Sequence, residues 1–389
     1  MHSLSPAWIR PLFFLLFAGL LASVSVYLYR RLIRDVTGHK VLRVVGAGLV
    51  VGLSLGALML RVLRPRATFS QTFAVGLALW MGMLLYTVLS LWVLELVRVA
   101  RARLAKEAAP PSPERRLFLS RALAATSVAA GGGLASFGVY RAYSPPGVTE
   151  FTVKLPGLPR TLDGYSIVQL SDVHIGPVLR QAFLDDLVER ANALKPDLLA
   201  VTGDLVDGSV EDLGDIVGRM GRLRARHGTY FVSGNHDWYA GWDEWSQALS
   251  AMGLTVLRNR WLTIGDAGGS FDLIGLDDYG SRHVAQGYDF SAALAGRDPS
   301  RPSVVLSHQP GSFDDTVKEK LGLQLSGHSH GGQTFPSTGI SSLIWGPRSA
   351  GYSREGDSQL VVSRGCGFVG PPMRLGSPPE LVKVILTAG

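Results

Sequence analysis

Three long apolar runs occupy the first hundred residues, at positions 11–29, 44–60 and 73–94. Each approaches or reaches the roughly 20 residues that an α-helix needs to cross the hydrocarbon core of a bilayer. A chain that crosses hydrocarbon must satisfy its own backbone hydrogen bonds, and for a single run of this kind the helix is the structure that does so. Arginine-rich turns separate the three runs. We therefore predict three transmembrane helices in residues 1–100.

A fourth, mildly apolar segment rich in Ala, Gly and Ser follows at residues 117–144. A basic, Pro-rich linker at residues 101–116 precedes it and ends in Arg115 and Arg116. Paired arginines ahead of an apolar stretch resemble a twin-arginine export signal, here internal to the chain. An ordinary fourth span with basic flanks is the alternative. Both interpretations send the following domain across the membrane, and no cleavage site is evident before Pro145, so we predict an anchor.

The charge of the chain is unevenly distributed. Residues 1–144 hold 17 Lys and Arg against 4 Asp and Glu, whereas residues 145–389 hold 21 against 27. The basic excess thus belongs to the membrane flanks, and we expect no nucleic-acid partner. Basic residues follow the first and third runs most densely, which places both connections in the cytoplasm. We predict a multi-pass inner-membrane protein whose C-terminal domain is periplasmic or extracellular.

Beyond residue 145 the apolar runs become short and rich in Val, Ile and Leu. Continuous hydrophobicity over four to six residues is typical of strands buried on both faces. We predict such strands at residues 166–170, 197–202, 229–233, 271–275, 304–307 and 323–326. Helical periodicity lies between some of them, most completely at residues 183–194. Alternating strands and helices followed by strand-rich sequence predict a layered α/β fold.

Seven potential metal ligands lie in short pieces that directly follow apolar runs. They are Asp172, His174, Asp204, Asn235, His308, His328 and His330. The pieces, together with His236, contain five of the nine histidines in the chain. Imidazole and carboxylate ligands suit divalent Mn, Fe, Zn or similar ions. Seven ligands are too many for one ordinary site, so we predict two metal ions bridged by a carboxylate, an arrangement that hydrolyses phosphoesters.

The order Asp-x-His, Gly-Asp, Gly-Asn-His-Asp, His, Gly-His-x-His resembles the calcineurin-like metallophosphoesterase superfamily. The resemblance runs from about residue 149 to the C-terminus. The extended forms at residues 171–176, 203–207 and 327–333, and the tail at 365–380, look most like its membrane-associated bacterial branch. This resemblance implies a catalytic domain at residues 145–389, folded as a four-layer αββα sandwich with two central mixed sheets. The whole chain is then an α/β protein preceded by an all-α transmembrane region.

The resemblance also implies a role for each ligand. Asp172, His174, Asp204 and His330 would hold one metal ion, and Asp204, Asn235, His308 and His328 would hold the other. Asp204 would bridge the two and screen their repulsion. The two ions would polarise the phosphoryl oxygens and acidify a bound water, so that hydroxide is available near neutral pH.

His236 is implied to be catalytic rather than a ligand. It would stabilise the charge of the transition state or protonate the leaving group. Asp237 either orients His236 by accepting its second ring proton or caps the local turn. Asp207 is expected to play a supporting or turn role of the same kind.

Two further features remain open at the level of sequence. Trp238, Tyr239, Trp242 and Trp245 either form a wall beside the substrate or occupy one face of a helix in the core. We favour the core for Trp242 and Trp245. Arg374 meets either a substrate phosphate or a structural carboxylate.

The leading hypothesis is a membrane-anchored, two-metal phosphoesterase acting on a phosphomonoester or phosphodiester. Tethering to the membrane favours a lipid-linked or envelope-derived substrate, and the twin-arginine export machinery would be a partner. The alternative is a membrane scaffold or transport component whose phosphoesterase-like domain only binds a ligand. Loss of metal ligands would mark such a protein, and none of the seven is missing from the sequence.

Overall fold

The computed structural model describes residues 9–63, 71–104 and 112–389. The chain divides into two compact units, Met1–Val139 and Tyr140–Gly389. Part of the predicted Pro-rich linker, at 105–111, lies outside the described residues, as do Arg64 and Arg66 between the second and third predicted runs.

The first unit is built from helices. They are α1 (Ile9–Leu28), which continues as a π-helical segment over Tyr29–Arg34, α2 (Lys40–Leu63), α3 (Gln71–Leu104) and α4 (Pro113–Ala142). Among the residues that the structure describes, three stretches are long and apolar enough to cross a membrane, namely Leu15–Arg34, Val75–Leu104 and Pro113–Ala142. Helix α2 contains the whole of the second predicted run at 44–60, which is not among these three stretches. Large apolar side chains such as Leu16, Trp92 and Phe118 are more than half exposed, as expected for helices that face hydrocarbon.

Helix α4 begins earlier than the fourth predicted segment. Proline is favoured at the first position of a helix, where its missing N–H costs nothing, and Pro113 occupies that position. The hydroxyl of Ser112 accepts a hydrogen bond from the backbone N–H of Arg115 at 3.3 Å, as an N-cap does. Since α3 also extends to Leu104, residues 101–104 and 113–116 of the predicted linker are helical.

Two six-stranded sheets form the centre of the second unit. The strands of the first are β1 (Gly147–Leu155), β2 (Tyr165–Leu170), β3 (Leu198–Thr202), β4 (Thr229–Val232), β5 (Thr255–Val256) and β12 (Glu380–Ala388), in the order β1-β12-β2-β3-β4-β5. The strands of the second are β6 (Arg260–Asp266), β7 (Gly269–Gly275), β8 (Ser303–Leu306), β9 (Leu323–Ser326), β10 (Gly351–Glu355) and β11 (Ser358–Val362), in the order β10-β11-β9-β8-β7-β6. Strands β2, β3 and β4 are mutually parallel, and so are β7, β8, β9 and β11.

The two sheets share one apolar core, and helices cover their outer faces. Residues of β2, β3 and β4 pack with residues of β7, β8 and β9 in the shared core. The helices α5 (Gln181–Ala193), α6 (Val210–Val217) and α7 (Asn235–Ala251) cover the first sheet. The second sheet is covered by α8 (Phe290–Leu294) and α9 (Phe313–Lys318). The predicted four-layer αββα sandwich is confirmed.

The topology brings the carboxyl ends of five strands to one edge of the sandwich. Parallel strands end on the same side of a sheet, and the loops that follow them meet there. In the first sheet these are the loops after β2, β3 and β4, and in the second sheet those after β8 and β9. All the ligand-bearing pieces of the sequence lie in these five loops.

Candidate metal centre

The structure brings the predicted ligands together in two groups. Asp172, His174 and His330 each offer a ligand atom within 4.8 Å of the others, and Asp204, His308 and His328 form the second group. The distances between donor atoms suit metal coordination, because ligands held at about 2.0–2.2 Å from one ion lie roughly 3.0–3.6 Å from each other.

In the first group, the ring nitrogens of His174 and His330 face each other. Their Nε2 atoms are 3.1 Å apart, and Nε2 of His330 is 3.4 Å from Oδ1 of Asp172. All three side chains are buried. Burial lowers the pKa of His330 well below its usual range, so this imidazole is neutral, which is the form that binds metals.

In the second group, Nε2 of His308 lies 3.2 Å from Oδ2 of Asp204 and 3.3 Å from Nδ1 of His328. Nδ1 of His308 lies 2.8 Å from the carbonyl oxygen of Thr202, which orients the ring and leaves Nε2 toward the group. Burial and the neighbouring His308 lower the pKa of His328 to about 4. Burial by itself lowers the pKa of His308, but the charge of Asp204 outweighs it and raises that pKa to about 10.

The carboxylate of Asp204 belongs to both groups. Its Oδ2 atom is 3.2 Å from His308 and 3.8 Å from Nε2 of His174 in the first group. Burial raises the pKa of Asp204, but His308 and His174 together lower it far below its usual range, so the carboxylate is ionised. This is the residue to which the family resemblance assigned the bridging role.

Asn235 supplies an independent indication of a missing partner. Its Oδ1 atom is buried and has no hydrogen-bond partner among the residues that the structure describes. Buried polar oxygens are nearly always satisfied, and an orphan of this kind is explained by a bound ion or water. The amide lies at the start of α7, after β4, as expected for a ligand of the second group.

The backbone at the ligands is unusual. Five of the seven predicted ligands have a left-handed backbone, with φ between 49° and 70°: Asp172, His174, Asp204, His328 and His330. This conformation costs about 1–2 kcal/mol for a residue with a side chain. Such residues cluster where function requires a particular geometry.

Glycines allow the loops after β3 and β4 to approach each other. A Cβ atom on Gly203 would lie 2.5 Å from the backbone nitrogen of Gly234, and one on Gly234 would collide with the carboxylate of Asp204. Both positions therefore require glycine.

Asp237 caps the turn between these loops. Its Oδ2 atom accepts hydrogen bonds from the backbone N–H groups of Gly234 (2.8 Å) and Asp204 (2.9 Å), and its Oδ1 atom accepts from Leu205 (2.9 Å). Of the two roles that the sequence left open for Asp237, the structure shows the cap. The orienting role falls to another carboxylate.

That carboxylate is Asp207, whose double role the sequence did not reveal. Oδ1 of Asp207 is 2.6 Å from Nδ1 of His236 and 3.2 Å from Nδ1 of His174. Burial raises the pKa of Asp207, but hydrogen bonds from the two histidines lower it to about 2. Burial lowers the pKa of His236, but the hydrogen bond that it donates to Asp207 and the charge of Asp204 raise it overall above its usual value. His236 is thereby placed beside the ligands and biased toward its protonated form.

Arg374 fits neither of the two interpretations of its sequence position. It is 1% exposed and donates from Nε to the carbonyl of Gly367 at 2.8 Å and from Nη1 to that of Ser377 at 3.1 Å. Its Nη2 atom lies 2.9 Å from Nδ1 of His330. The arginine therefore fastens the loop before β12 against a metal-site histidine, a long-range contact without a local signal in the sequence.

The aromatic residues after His236 include two that are buried in the core and one that is exposed beside the site. Trp242 and Trp245 lie on the buried face of α7 and pack in the core, as predicted. Tyr239 is 79% exposed, and its ring centroid lies 5.6 Å from that of His236. Tyr239 is therefore the aromatic residue available to a substrate.

Comparisons with known proteins agree with this geometry. Residues 165–332, which include every ligand-bearing loop, match the family described as calcineurin-like phosphoesterase. A transmembrane protein with metallophosphoesterase domain from Danio rerio is 34% identical over 298 residues, which are 74% of this chain and 66% of the relative. A Bacillus subtilis metallophosphoesterase is 32% identical over 286 residues, which are 69% of this chain and 95% of the relative.

Among solved structures, a dimetal phosphatase from Danio rerio is 12% identical, with a TM-score of 0.37 over 58% of this chain and 93% of that one. The chain spans slightly less than two thirds of the transmembrane relatives from Danio rerio (66%) and Bos taurus (64%). Its similarity to the Bacillus protein, in contrast, extends over nearly the whole of that relative. The chain belongs to the calcineurin-like metallophosphoesterase family.

Proposed function

We propose that the chain is a membrane-anchored phosphoesterase that uses two divalent metal ions to hydrolyse a phosphomonoester or phosphodiester. The observation that carries this proposal is the carboxylate of Asp204, which lies between two groups of imidazole ligands. A single-metal or purely structural site would not need a shared carboxylate with ligands on both sides.

The donor set fits two ions of the Mn, Fe or Zn type. Asp172, His174 and His330 would hold one ion and His308, His328 and Asn235 the other, with Asp204 common to both. When bound, two such ions supply Lewis acidity toward phosphoryl oxygens and a water that ionises near neutral pH.

The remaining chemistry belongs to side chains of the protein. Burial lowers the pKa of His236, but the hydrogen bond that Nδ1 donates to Asp207 raises that pKa overall. In its protonated form the ring can donate a proton from Nε2 to the oxygen of the leaving group, or stabilise the charge that develops on the phosphoryl group. Tyr239, beside it and exposed, would contact the part of the substrate next to the scissile bond.

The membrane helices favour a substrate that is itself bound to, or derived from, the cell envelope. Arginines from the end of α3 and the start of α4 line a common cavity with Arg31 from the segment after α1, so these connections lie at the same end of the helical unit. Such an end faces the cytoplasm under the positive-inside rule. One crossing by α4 would then carry the catalytic domain to the periplasm or cell exterior, where lipid-linked phosphoesters are among the candidate substrates.

The activity itself is tested with the full-length protein in detergent, Mn²⁺ and a chromogenic phosphodiester. We expect turnover that a chelator abolishes. The His236→Ala variant should keep two metal ions and lose about 10²–10⁴-fold in rate. The loss should be smaller for an ester with a good leaving group, which needs little protonation.

Three outcomes of this experiment have different meanings. Absence of turnover with every divalent metal tried would contradict the enzymatic proposal and favour a ligand-binding domain. Equal losses in His236→Ala for good and poor leaving groups would exclude general-acid catalysis and leave only electrostatic stabilisation. Loss of metal from the variant would place His236 among the ligands.

The bridging role of Asp204 is tested by metal analysis after dialysis. Asp204→Asn should weaken both sites at once, because the shared negative charge is removed while asparagine still tolerates the left-handed backbone at this position. His330→Ala should mainly empty the first site, and His328→Ala the second. Asp163→Asn, outside the site, is the matched control and should retain both ions. Two ions retained in Asp204→Asn would contradict the bridging assignment.

Topology is tested by adding a protease to intact spheroplasts that produce the full-length chain. We expect digestion of the wild-type catalytic domain. If Arg115 and Arg116 act as an export signal, the double variant Arg115→Lys/Arg116→Lys should trap the domain inside, because lysine lacks the planar guanidinium group. Arg101→Lys/Arg103→Lys is the control with the same change. Protection of the wild-type domain would contradict the outside location and favour a substrate on the inner leaflet.

A further inference from the structure

Two adjoining cavities lie among the helix ends of the first unit. The larger, of about 760 Å³, is bounded by α3 and α4, and the smaller, of about 650 Å³, extends toward the segment between α1 and α2. Arg31, Arg98, Arg116 and Ser120 line both. We call the two cavities together the arginine pocket.

The arginine pocket carries an excess of positive charge. Seven arginines and two acidic residues line it. Glu95 lies 2.7 Å from Arg31 and 2.8 Å from Arg98, and Asp35 lies 3.0 Å from Arg34. Within the described part of the chain, Arg101, Arg115 and Arg116 have no acidic partner. Their charges are available to an anion.

The walls of the pocket are held in place by packing between helices. A Cβ atom on Gly131 of α4 would collide with Thr87 of α3, so the two helices approach closely at this glycine. At the other end of the pocket, Nε of Arg121 donates to the carbonyl of Val36 at 3.1 Å and ties α4 to the turn before α2. The cationic groups are therefore presented by a fixed framework.

One wall of the larger cavity is aliphatic. Leu94 and Val97 of α3 and Leu119 and Leu123 of α4 line it together with the arginines. A small soluble anion would use only the guanidinium groups. A phospholipid would use both surfaces, its phosphate at the arginines and the start of its acyl chains at the leucines.

We propose that the arginine pocket binds the phosphate headgroup of an anionic phospholipid. Basic pockets between membrane helices recognise such headgroups by charge and hydrogen bonding. Arginine is suited to this task because its guanidinium forms paired hydrogen bonds with phosphate oxygens. The positive end of the α4 helix dipole lies next to Arg115 and Arg116 and favours an anion there. This site would give the paired arginines a role that is independent of export and of the catalytic domain.

The test uses the full-length protein and mixed micelles that contain equal amounts of phosphatidylglycerol and phosphatidylcholine, with bound lipid measured by native mass spectrometry. We expect enrichment of phosphatidylglycerol on the wild-type protein. Arg101→Gln/Arg116→Gln should reduce that enrichment about tenfold, because two unpaired phosphate-binding groups are lost. Arg30→Gln/Arg103→Gln removes the same charge from arginines that do not line the pocket, and should retain the enrichment.

Three results would overturn the proposal. The first is no enrichment of phosphatidylglycerol on the wild-type protein, and the second is an equal loss of enrichment in the two Gln double variants. The third is full displacement of the lipid by an equal concentration of glycerol 1-phosphate, which would show a site for a soluble phosphoester. The Arg101→Lys/Arg116→Lys variant preserves charge and should keep most of the binding. It changes the same two positions without removing their charge, so the test does not depend on the Gln variant alone if that variant folds poorly. The readout is bound lipid, and it does not depend on whether the chain hydrolyses phosphoesters.

Discussion

The carboxylate of Asp204 lies between an imidazole of the first ligand group and an imidazole of the second. It lies 3.2 Å from His308 and 3.8 Å from His174, and its second oxygen accepts the backbone N–H of His236 at 2.8 Å. Two divalent cations at close range repel each other strongly unless an anion lies between them. The loops after β3 and β4 are built to hold that anion, because Asp237 binds the backbone of both loops and glycines at 203 and 234 let them touch.

The fold supplies the rigidity that such a centre needs. Strands that are buried on both faces end at one edge of the sandwich. The last backbone hydrogen bonds between these strands fix the first residue of each ligand loop. Against this frame the chain holds five ligand residues in the left-handed conformation, each at a cost of about 1–2 kcal/mol. A flexible edge would relax those residues, whereas a frame of two mixed sheets, whose central strands are parallel and whose outer faces carry helices, keeps them in place.

Much of this structure could be predicted from the sequence, for a physical reason. Strands β2, β3, β4, β7, β8 and β9 are central, so they appear as continuous apolar runs, and the six predicted segments coincide with them. Strands β1, β5, β6, β10, β11 and β12 were not predicted. The faces of β1, β6 and β10 are partly exposed, and polar residues interrupt their apolar pattern. Strand β5 is only two residues long, whereas β11 and β12 are largely buried and were missed. Strand order depends on contacts between distant segments, such as β12 between β1 and β2, and no local pattern records it.

The candidate site also has features that could be predicted from the sequence and features that could not. The seven ligand positions could be named because each follows an apolar run. The link from Asp207 to both His174 and His236, and that from Arg374 to His330, depend on side-chain geometry after the loops have met. Asp237 was left with two roles for this reason, and only the packed structure distinguishes them.

The most direct test of the two-metal centre is anomalous diffraction from crystals of the protein loaded with Mn²⁺. We predict two anomalous peaks about 3.5–4 Å apart, both in contact with the carboxylate of Asp204, one beside His174 and His330 and the other beside His308 and His328. A single peak, or two peaks of which only one contacts Asp204, would contradict the shared-carboxylate centre.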